Sequence, residues 1–391
     1  MVGREFTPIP SVAPMRHFAL TQPARLLRSW PRGVRLQELT SHAAHDAFKS
    51  AREEKDVSAA VQRPLRIGDV VELRPPAEIL ATLDASGALD GMPFMPEMLP
   101  YMGRRHRVSA RVEKFCDTIN RVQSRRIGST VYLEDLRCDG SAHGGCQAAC
   151  RLYWKDEWLV RVDDHSDVSP VSRDDPAFIQ LERVTRAGST RIPGQDGGAA
   201  ATYRCQATDA LRASEPLPNS DMSQYVRELG SGNVSPLRLL RVALRATAFK
   251  LAGRFAGPIS LTSRLAIQLR PGRLVTEPMG LVVGDWVRVR SDNEIARTLN
   301  RSGKNRGLWF DREMRQYCGG TYQVKARIER FVDERTGRMI QIKTDCFQLD
   351  GVVCSGDYSY GRWLCPRAIP PYWREAWLTR AEPPPQRRSG A

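Results

Sequence analysis

Residues 68–117 read GDVVELRPPAEILATLDASGALDGMPFMPEMLPYMGRRHRVSARVEKFCD, and residues 284–333 read GDWVRVRSDNEIARTLNRSGKNRGLWFDREMRQYCGGTYQVKARIERFVD. A shift of 216 residues aligns the two stretches without a gap, and 22 of the 50 aligned positions are identical. The same shift places Cys354 on Cys138, and a shift of 219 places Cys365 on Cys146. Such internal self-similarity is the signature of a repeated structural unit, so the chain carries one module twice.

The residues of each module predict short strands. Residues 69–74 follow a Gly-Asp turn and alternate apolar with polar side chains, as a half-buried strand does, and residues 285–290 repeat the pattern. The other predicted elements of each module are a helical turn and two strands: 78–83, 107–115 and 130–136 in module one, and 294–299, 323–331 and 339–349 in module two. Short twisted strands and tight turns are typical of small barrels. We therefore predict a mainly β fold with a helical insert, in which each module is an SH3-like β-barrel with a Cys-rich metal loop.

The chain divides into five predicted segments. They are a basic N-terminal extension (1–62), module one (63–165), a flexible linker with a helical segment (166–280), module two (281–381) and a disordered tail (382–391). Within the third segment, the Gly- and Ser-containing stretch 188–200 predicts a linker, whereas 221–229 and 235–255 predict helices. No apolar run approaches the roughly 20 residues that span a bilayer, and the N-terminus has no compact apolar h-region. We therefore expect a soluble, cytoplasmic protein with no transmembrane segment.

The charge predicts a class of partner, and the cysteine content predicts bound metal. The formal net charge is +15, and it comes mainly from arginines spread along the chain. Such a balance favours an anionic polymer, although the codon usage of a GC-rich genome would also produce it. The nine cysteines are an odd number in a chain without an export signal, which argues against a disulfide framework. Their clustering in the repeats favours metal ligation.

The candidate metal ligands lie in both modules. They are Cys116, Cys138, His143, Cys146 and Cys150 in module one, and Cys346, Cys354, Asp357 and Cys365 in module two. Thiolates and imidazoles bind zinc tetrahedrally, so zinc is the leading prediction. An iron–sulfur cluster, which also takes four thiolates, and unligated thiols are the alternatives.

The alignment also predicts how the ligand sets differ. Cys116 aligns with Val332, and Cys346 aligns with Thr130. Positions 116 and 130 flank one predicted hairpin, where facing residues lie about 5 Å apart. We therefore predict that one ligand moved to the opposite strand while the ion kept its place.

Other residues predict structure more than chemistry. The six histidines form no catalytic pattern with a nucleophile, and neither a phosphate-binding loop nor a zinc-protease motif is present. Glu97 and Glu313, which are equivalent, are predicted to pair with Arg111 and Arg327. Cys205 and Cys318 are predicted to be ordinary buried thiols, although Cys205-Gln-Ala repeats Cys146-Gln-Ala. Four tryptophans are predicted to form helical core ridges: Trp154, Trp158, Trp373 and Trp377.

Several motifs resemble a family of uncharacterised bacterial proteins with two Cys-containing SH3-like modules. They are FMPEM at 94–98, RCDGSAHGGCQ at 137–147, YRCQAT at 203–208, GLWF at 307–310, YCGGTY at 317–322 and CPR at 365–367. The resemblance covers residues 63–381 and implies the paired-module fold. It also implies a cysteine at the position of Asp357, and hence an incomplete ligand set in module two.

Three functions follow as hypotheses. The leading one is a non-catalytic, zinc-binding accessory or scaffold protein that presents a basic surface to a protein partner. The first alternative is an iron–sulfur or metal-dependent oxidoreductase of a biosynthetic pathway, with its site in module one. The second is a nucleic-acid-binding protein, whose affinity would fall steeply with salt.

Overall fold

The Gly-Asp turn that opens each repeat leads into a strand with buried inward side chains. This strand is β1 (Val70–Leu73) in module one and β13 (Trp286–Val289) in module two, and the equivalent residues Val71 and Val287 are fully buried. The structure, a computed structural model, describes residues 63–120, 123–163, 170–191, 201–256, 277–357 and 362–384. The predicted N-terminal extension, residues 192–200 of the linker and the tail from 385 lie outside the described residues.

Module one contains one five-stranded antiparallel sheet. Its other strands are β4 (Arg105–Arg111), β7 (Thr130–Leu133), β8 (Trp154–Lys155) and β9 (Leu159–Arg161). The strand order is β8–β7–β4–β1–β9. The register shifts between Val108 and Ala110, so β4 bends between its two neighbours. A 3₁₀ turn, Asp156–Trp158, links the last two strands.

Module two repeats this sheet. Its strands are β13, β16 (Thr321–Arg327), β19 (Cys346–Leu349), β20 (Trp373–Arg374) and β21 (Leu378–Arg380). They lie in the order β20–β19–β16–β13–β21, with a register shift between Val324 and Ala326 and a 3₁₀ turn at Glu375–Trp377. The register shift and the 3₁₀ turn lie at the positions that the repeat alignment makes equivalent to those of module one. The mainly β fold is thus confirmed, but within the described residues no strand pairing closes either sheet into a barrel.

Shorter strands surround the two sheets. They are β2 (Ala88–Leu89), β3 (Met92–Pro93), β5 (Phe115–Cys116), β6 (Ser124–Arg126), β10 (Thr190–Arg191), β11 (Thr202–Tyr203), β12 (Glu215–Leu217), β14 (Lys304–Asn305), β15 (Leu308–Trp309), β17 (Arg330–Val332) and β18 (Met339–Gln341). The strands β5 and β17 occupy equivalent positions in the two modules. Each lies outside the five-stranded sheet of its module and contacts the other module, as the hydrogen bonds described below show.

Helices belong to both the modules and the middle segment. They are α1 (Pro76–Thr82), α2 (Pro176–Gly188), α3 (Gln206–Asp209), α4 (Ser223–Gly230), α5 (Pro236–Ala256) and α6 (Asp292–Ala296), and 3₁₀ turns lie at Pro96–Tyr101 and Arg312–Tyr317. The two predicted helices of the middle segment are confirmed as α4 and α5. Helix α2 was not predicted; it buries Phe178 and Leu181 against module one. Among the described residues, no helix has both the length and the apolar character to cross a membrane.

The predicted tryptophan ridges are buried, but they are not helical. All four rings are fully buried: Trp154, Trp158, Trp373 and Trp377. The first ring of each pair lies in a strand and the second in a 3₁₀ turn, because the sheet and the turn face the same core. The second ring donates its indole N–H to an equivalent threonine in each module, Thr82 at 3.1 Å and Thr298 at 2.9 Å.

Two ionisable side chains are buried where α4 meets module one. Glu228 is fully buried and accepts a hydrogen bond from Asn233 Nδ2 at 2.8 Å. Lys114 donates to Gln224 Oε1 at 3.1 Å and lies 4.4 Å from the centre of the Tyr225 ring. Burial raises the pKa of Glu228 to about 7 and lowers that of Lys114 to about 8.

Glu228 makes the stability of the protein depend on pH. Because its folded pKa lies above the ordinary value of 4.5, the folded protein binds more protons than the unfolded chain between these values. Its contribution therefore falls as the pH rises from about 4.5 to 7, by roughly 3 kcal/mol at 1.36 kcal/mol per pKa unit. We expect Glu228→Gln to remove this slope in urea unfolding at pH 5 and pH 8. Glu78→Gln, on an exposed carboxylate, should leave the slope unchanged, and a pH-independent difference between Glu228→Gln and the wild type would contradict the assignment.

Candidate metal centre

A cavity of about 730 Å³ lies between the two modules. Six cysteines line it: Cys116, Cys138, Cys146, Cys150, Cys205 and Cys354. A seventh, Cys365, lies beside it, where its Sγ accepts a hydrogen bond from the Cys116 N–H at 3.2 Å. All nine cysteines lie in the described segments and all are free thiols. The remaining two, Cys318 and Cys346, are not among the residues lining the cavity.

A closed loop brings three thiols of module one to the cavity. The Cys138 N–H donates to the Cys150 carbonyl at 2.8 Å, and the Gly145 N–H donates to the Gly140 carbonyl at 3.0 Å. Gly140 has a φ of +72°, and a Cβ at this position would lie only 2.7 Å from the Cys146 amide nitrogen. Glycine is required here because both the backbone conformation and the close approach exclude a side chain. The loop therefore holds Cys138 and Cys150 side by side at its base and Cys146 against Gly140.

The loop of module two closes in the same way. The Cys354 N–H donates to the Ile369 carbonyl at 2.8 Å, and the Leu364 N–H donates to the Gly356 carbonyl at 2.9 Å. Gly356 has a φ of +73°, and a Cβ there would lie 2.7 Å from the Cys365 amide nitrogen. The two pairs of cysteines that the alignment made equivalent are therefore equivalent in space. Ile369 occupies the position that Cys150 has in module one.

A fourth thiol reaches the module-one loop from the middle segment. Cys205 precedes α3, and the buried Gln206 fixes it to the core. The Gln206 amide donates to the carbonyls of Tyr153 at 2.7 Å and Pro93 at 3.1 Å, and its oxygen accepts from the Tyr153 N–H at 2.8 Å. The prediction did not include Cys205 among the ligands. The signal for it was the repeated Cys-Gln-Ala sequence at Cys146.

Burial makes these thiols weak acids in the absence of a cation. Burial raises the pKa of Cys138, and the negative charge of the Glu97 carboxylate raises it further. Burial also raises the pKa of Cys150 to about 12 and that of Cys205 to about 11. Charge on neighbouring thiols raises all three pKa values further. A thiol must lose its proton to bind a metal, so metal binding here would release protons.

Within the described residues, one group of three potential ligands converges tightly. The donor atoms of Glu97, Cys138 and His143 lie within 4.8 Å of one another. His143 Nδ1 lies 2.6 Å from Glu97 Oε1, and Nε2 lies 3.0 Å from the Arg204 carbonyl oxygen. A carbonyl can only accept, so Nε2 carries a proton. Glu97 also accepts from the Ala142 N–H at 3.0 Å. Both nitrogens of the imidazole therefore make hydrogen bonds, and Glu97 and His143 hold the Cys138–Cys150 loop in place through these contacts.

The equivalent glutamate braces the loop of module two. Glu313 Oε2 accepts from the Ser355 N–H at 3.1 Å and from its hydroxyl at 2.8 Å. The predicted structural role of both glutamates agrees with these contacts, but the predicted Glu97–Arg111 pair is wrong. Arg111 instead forms ion pairs with Glu113 and Asp156, and Arg327 pairs with Asp345.

Each module places an equivalent strand against the cysteine loop of the other module. The N–H of Cys116 in β5 donates to Cys365 Sγ at 3.2 Å, and the N–H of Val332 in β17 donates to Cys146 Sγ at 3.3 Å. Since Cys116 and Val332 are equivalent positions, each module lays the same strand against the loop of the other. A hydrogen bond with Cys365, supported by the charges of Arg367 and Arg362, lowers the pKa of Cys116 to about 6.

These contacts change the predicted ligand sets. Cys116 was predicted in the module-one set, but the structure joins it to the module-two loop. The hairpin hypothesis is wrong, because Cys116 pairs with Ser124 whereas Thr130 pairs with Lys155. Cys346 is buried in β19, opposite Arg374. The carboxylate of Asp357 lies 3.0 Å from Arg238, with which it forms an ion pair.

Comparison with known proteins finds no match to a family model, to a curated protein or to a solved structure. Around the cavity, Cys138, Cys146, Cys150 and Cys205 lie on or near the module-one loop, and Cys116, Cys354 and Cys365 lie at the module-two loop.

Proposed function

We propose that this protein is an iron–sulfur oxidoreductase that holds a cluster in the cavity between its modules. The ligands are Cys138, Cys146, Cys150 and Cys205. The observation that carries the proposal is that these four thiols, from one closed loop and one short helix, line one cavity. Four thiolates are the usual ligands of both common types of iron–sulfur cluster.

The spacing of the thiols favours a cluster over a single zinc ion. With Zn–S bonds of about 2.3 Å and tetrahedral angles, the four sulfurs around zinc lie about 3.8 Å apart. In the described part of the chain, no three thiols lie within 4.8 Å of one another. A [4Fe–4S] cluster spreads its ligands more widely, because each of its four thiolates binds a different iron. The zinc-stabilised scaffold predicted from the sequence stays an alternative that metal analysis decides.

The surroundings also suit a negatively charged cluster and a small reactant. The Val332 N–H donates to Cys146 Sγ, and hydrogen bonds to cluster sulfurs are among the factors that set the reduction potential. Arginines on the cavity wall would offset the charge of the thiolates. The wall also includes Trp309, Phe331 and Tyr372. The volume is within the range of small-molecule sites, about 300–1,000 Å³. A small molecule bound in this cavity would lie close enough to the cluster to exchange electrons with it, as in an oxidoreductase.

An SH3-like architecture for each module belongs to the same proposal. Three features support it in module one: the strand order β9–β1–β4–β7–β8, the bend in β4 and the 3₁₀ turn between β8 and β9. The Cys-rich loop connects the neighbouring strands β7 and β8, so its length does not disturb their pairing. The sheet thus serves as a rigid support for the ligands.

Metal analysis of anaerobically purified protein tests the cluster. We expect iron and acid-labile sulfide in equal amounts, broad visible absorption and no stoichiometric zinc. Cys138→Ser and Cys205→Ser should each lower iron and sulfide at least twofold, because each removes one ligand of the same cluster. Cys318→Ser and Cys346→Ser, outside the cavity lining, are matched controls that should keep both. Stoichiometric zinc without sulfide would overturn the cluster and favour the zinc scaffold.

A further inference from the structure

We propose a second metal site that the two modules build together. Its ligands are Cys116 of module one and Cys354 and Cys365 of module two. The inference rests on the proposed function for the kind of metal, an iron–sulfur cluster, but its position rests on separate contacts. Module one thus completes the site of module two.

The geometry of the module-two loop supports this site. Gly356 closes the loop in the same way as its counterpart in module one, so Cys354 and Cys365 occupy the places of two proposed ligands of the first cluster. The Cys116 N–H reaches Cys365 Sγ at 3.2 Å, and the Cys116 side chain lines the same cavity as Cys354. Three thiols therefore lie at the second loop, although only two of them belong to its module.

Two arginines of module two hold the strand that carries Cys116. Arg367 is buried and donates to the Cys116 carbonyl at 3.4 Å, while its other nitrogen forms an ion pair with Glu334 at 2.7 Å. Arg362 donates to the Asp117 carbonyl at 2.9 Å. Both arginines come from the segment that carries Cys365. The cross-module position of Cys116 is therefore fixed by the residues that flank its partner.

The second site has a different coordination from the first. All nine cysteines are described, four belong to the first site, and Cys318 and Cys346 do not line the cavity. No fourth thiol is left, so a non-thiol donor must complete the set. In a cluster with three cysteine ligands, the iron without a thiolate has an exchangeable coordination position, whereas a four-thiolate cluster has none. We therefore assign reactant binding to the second site, and the ligand class is a small molecule with an oxygen or nitrogen donor.

Matched variants in the two loops test the second site. Cys138→Ser and Cys354→Ser change equivalent positions, and Cys116→Val inserts the residue that the repeat has at position 332. We expect Cys354→Ser and Cys116→Val each to lose about half of the wild-type iron and sulfide, and Cys138→Ser to lose the other half. Iron loss in Cys138→Ser alone would overturn the second site and leave the first. If none of these variants loses iron, both proposed sites would be overturned.

An external thiol tests the non-thiol position. The probe is 2-mercaptoethanol, added to dithionite-reduced protein and read by electron paramagnetic resonance. We expect its signal to shift in Cys138→Ser, which keeps the second site, and to stay unchanged in Cys116→Val, which keeps the first. An unchanged signal in Cys138→Ser, or a shift in Cys116→Val, would overturn the assignment of the replaceable position. Thermal unfolding of each variant confirms that folded protein is compared.

Discussion

Gly140→Ala is expected to remove most of the iron from the first site and to lower the free energy of unfolding by several kcal/mol. Gly140 adopts a φ of +72°, which costs an alanine about 1–2 kcal/mol. The new Cβ would also lie 2.7 Å from the Cys146 amide nitrogen and closer still to its carbonyl oxygen. Both atoms are backbone, so relief requires Cys146 to move away. Urea unfolding and iron analysis measure the two effects.

The control for Gly140→Ala is Gly68→Ala. Gly68 also has a positive φ, +88°, but a Cβ there would meet nothing within 4 Å. This variant should lose only the conformational cost of about 1–2 kcal/mol and keep its iron. Module two offers the same comparison with Gly356 and Gly284, whose φ values are +73° and +96°. Equal losses of stability and iron in Gly140→Ala and Gly68→Ala would show that loop closure does not position the thiols.

The duplication predicted much of the fold because both modules keep the residues that determine local structure. Each first strand begins after the same Gly-Asp turn, and the valine at its second position is buried in both. The equivalence of the Cys138 and Cys354 loops also followed from the alignment. Both loops close through the same backbone hydrogen bonds, and these bonds depend on local spacing and on one glycine.

The assignment of Cys116 could not be predicted, because alignment alone gives no information about contacts between modules. The prediction assumed that each module closes its own site. The bonds from Cys116 to Cys365 and from Val332 to Cys146 instead join residues far apart in the chain. Cys205 was missed for a related reason. Its side chain reaches the site only because the Gln206 amide bonds to the module-one backbone, which no local spacing indicates.

The exchanged strands imply that the modules unfold together. Gln147, next to the ligand Cys146, accepts from the N–H groups of Glu329 at 2.7 Å and Arg330 at 3.0 Å in module two. In return, Arg367 of module two holds Cys116 of module one. Unfolding either module therefore breaks the loop contacts of both. The described residues from Arg63 onward accordingly belong to one compact unit.

Trp377→Ala is expected to lower the free energy of unfolding by about 3–5 kcal/mol, the usual cost of truncating a buried tryptophan. The ring is fully buried, lies 5.3 Å from Phe310 and donates its N–H to Thr298 at 2.9 Å. The variant leaves a cavity and removes the hydrogen bond that the Thr298 hydroxyl accepts, although this hydroxyl still donates to the Ile295 carbonyl. Calorimetry should show one transition at a lower temperature, with iron released from both sites together. Ile340→Ala, a half-exposed control in module two, should cost less than about 1 kcal/mol.

The number of transitions decides whether the strand exchange couples the modules. If they were independent, Trp377→Ala would lower a module-two transition and leave a second one unchanged, and the first site would keep its iron until that second transition. The structure gives the opposite expectation, because β17 supplies the N–H bonded to Cys146 and the Arg330 N–H bonded to Gln147. A module-two mutation remote from the four thiols should therefore lower the temperature at which module one releases its metal. No isolated barrel that closed its own site would show this effect.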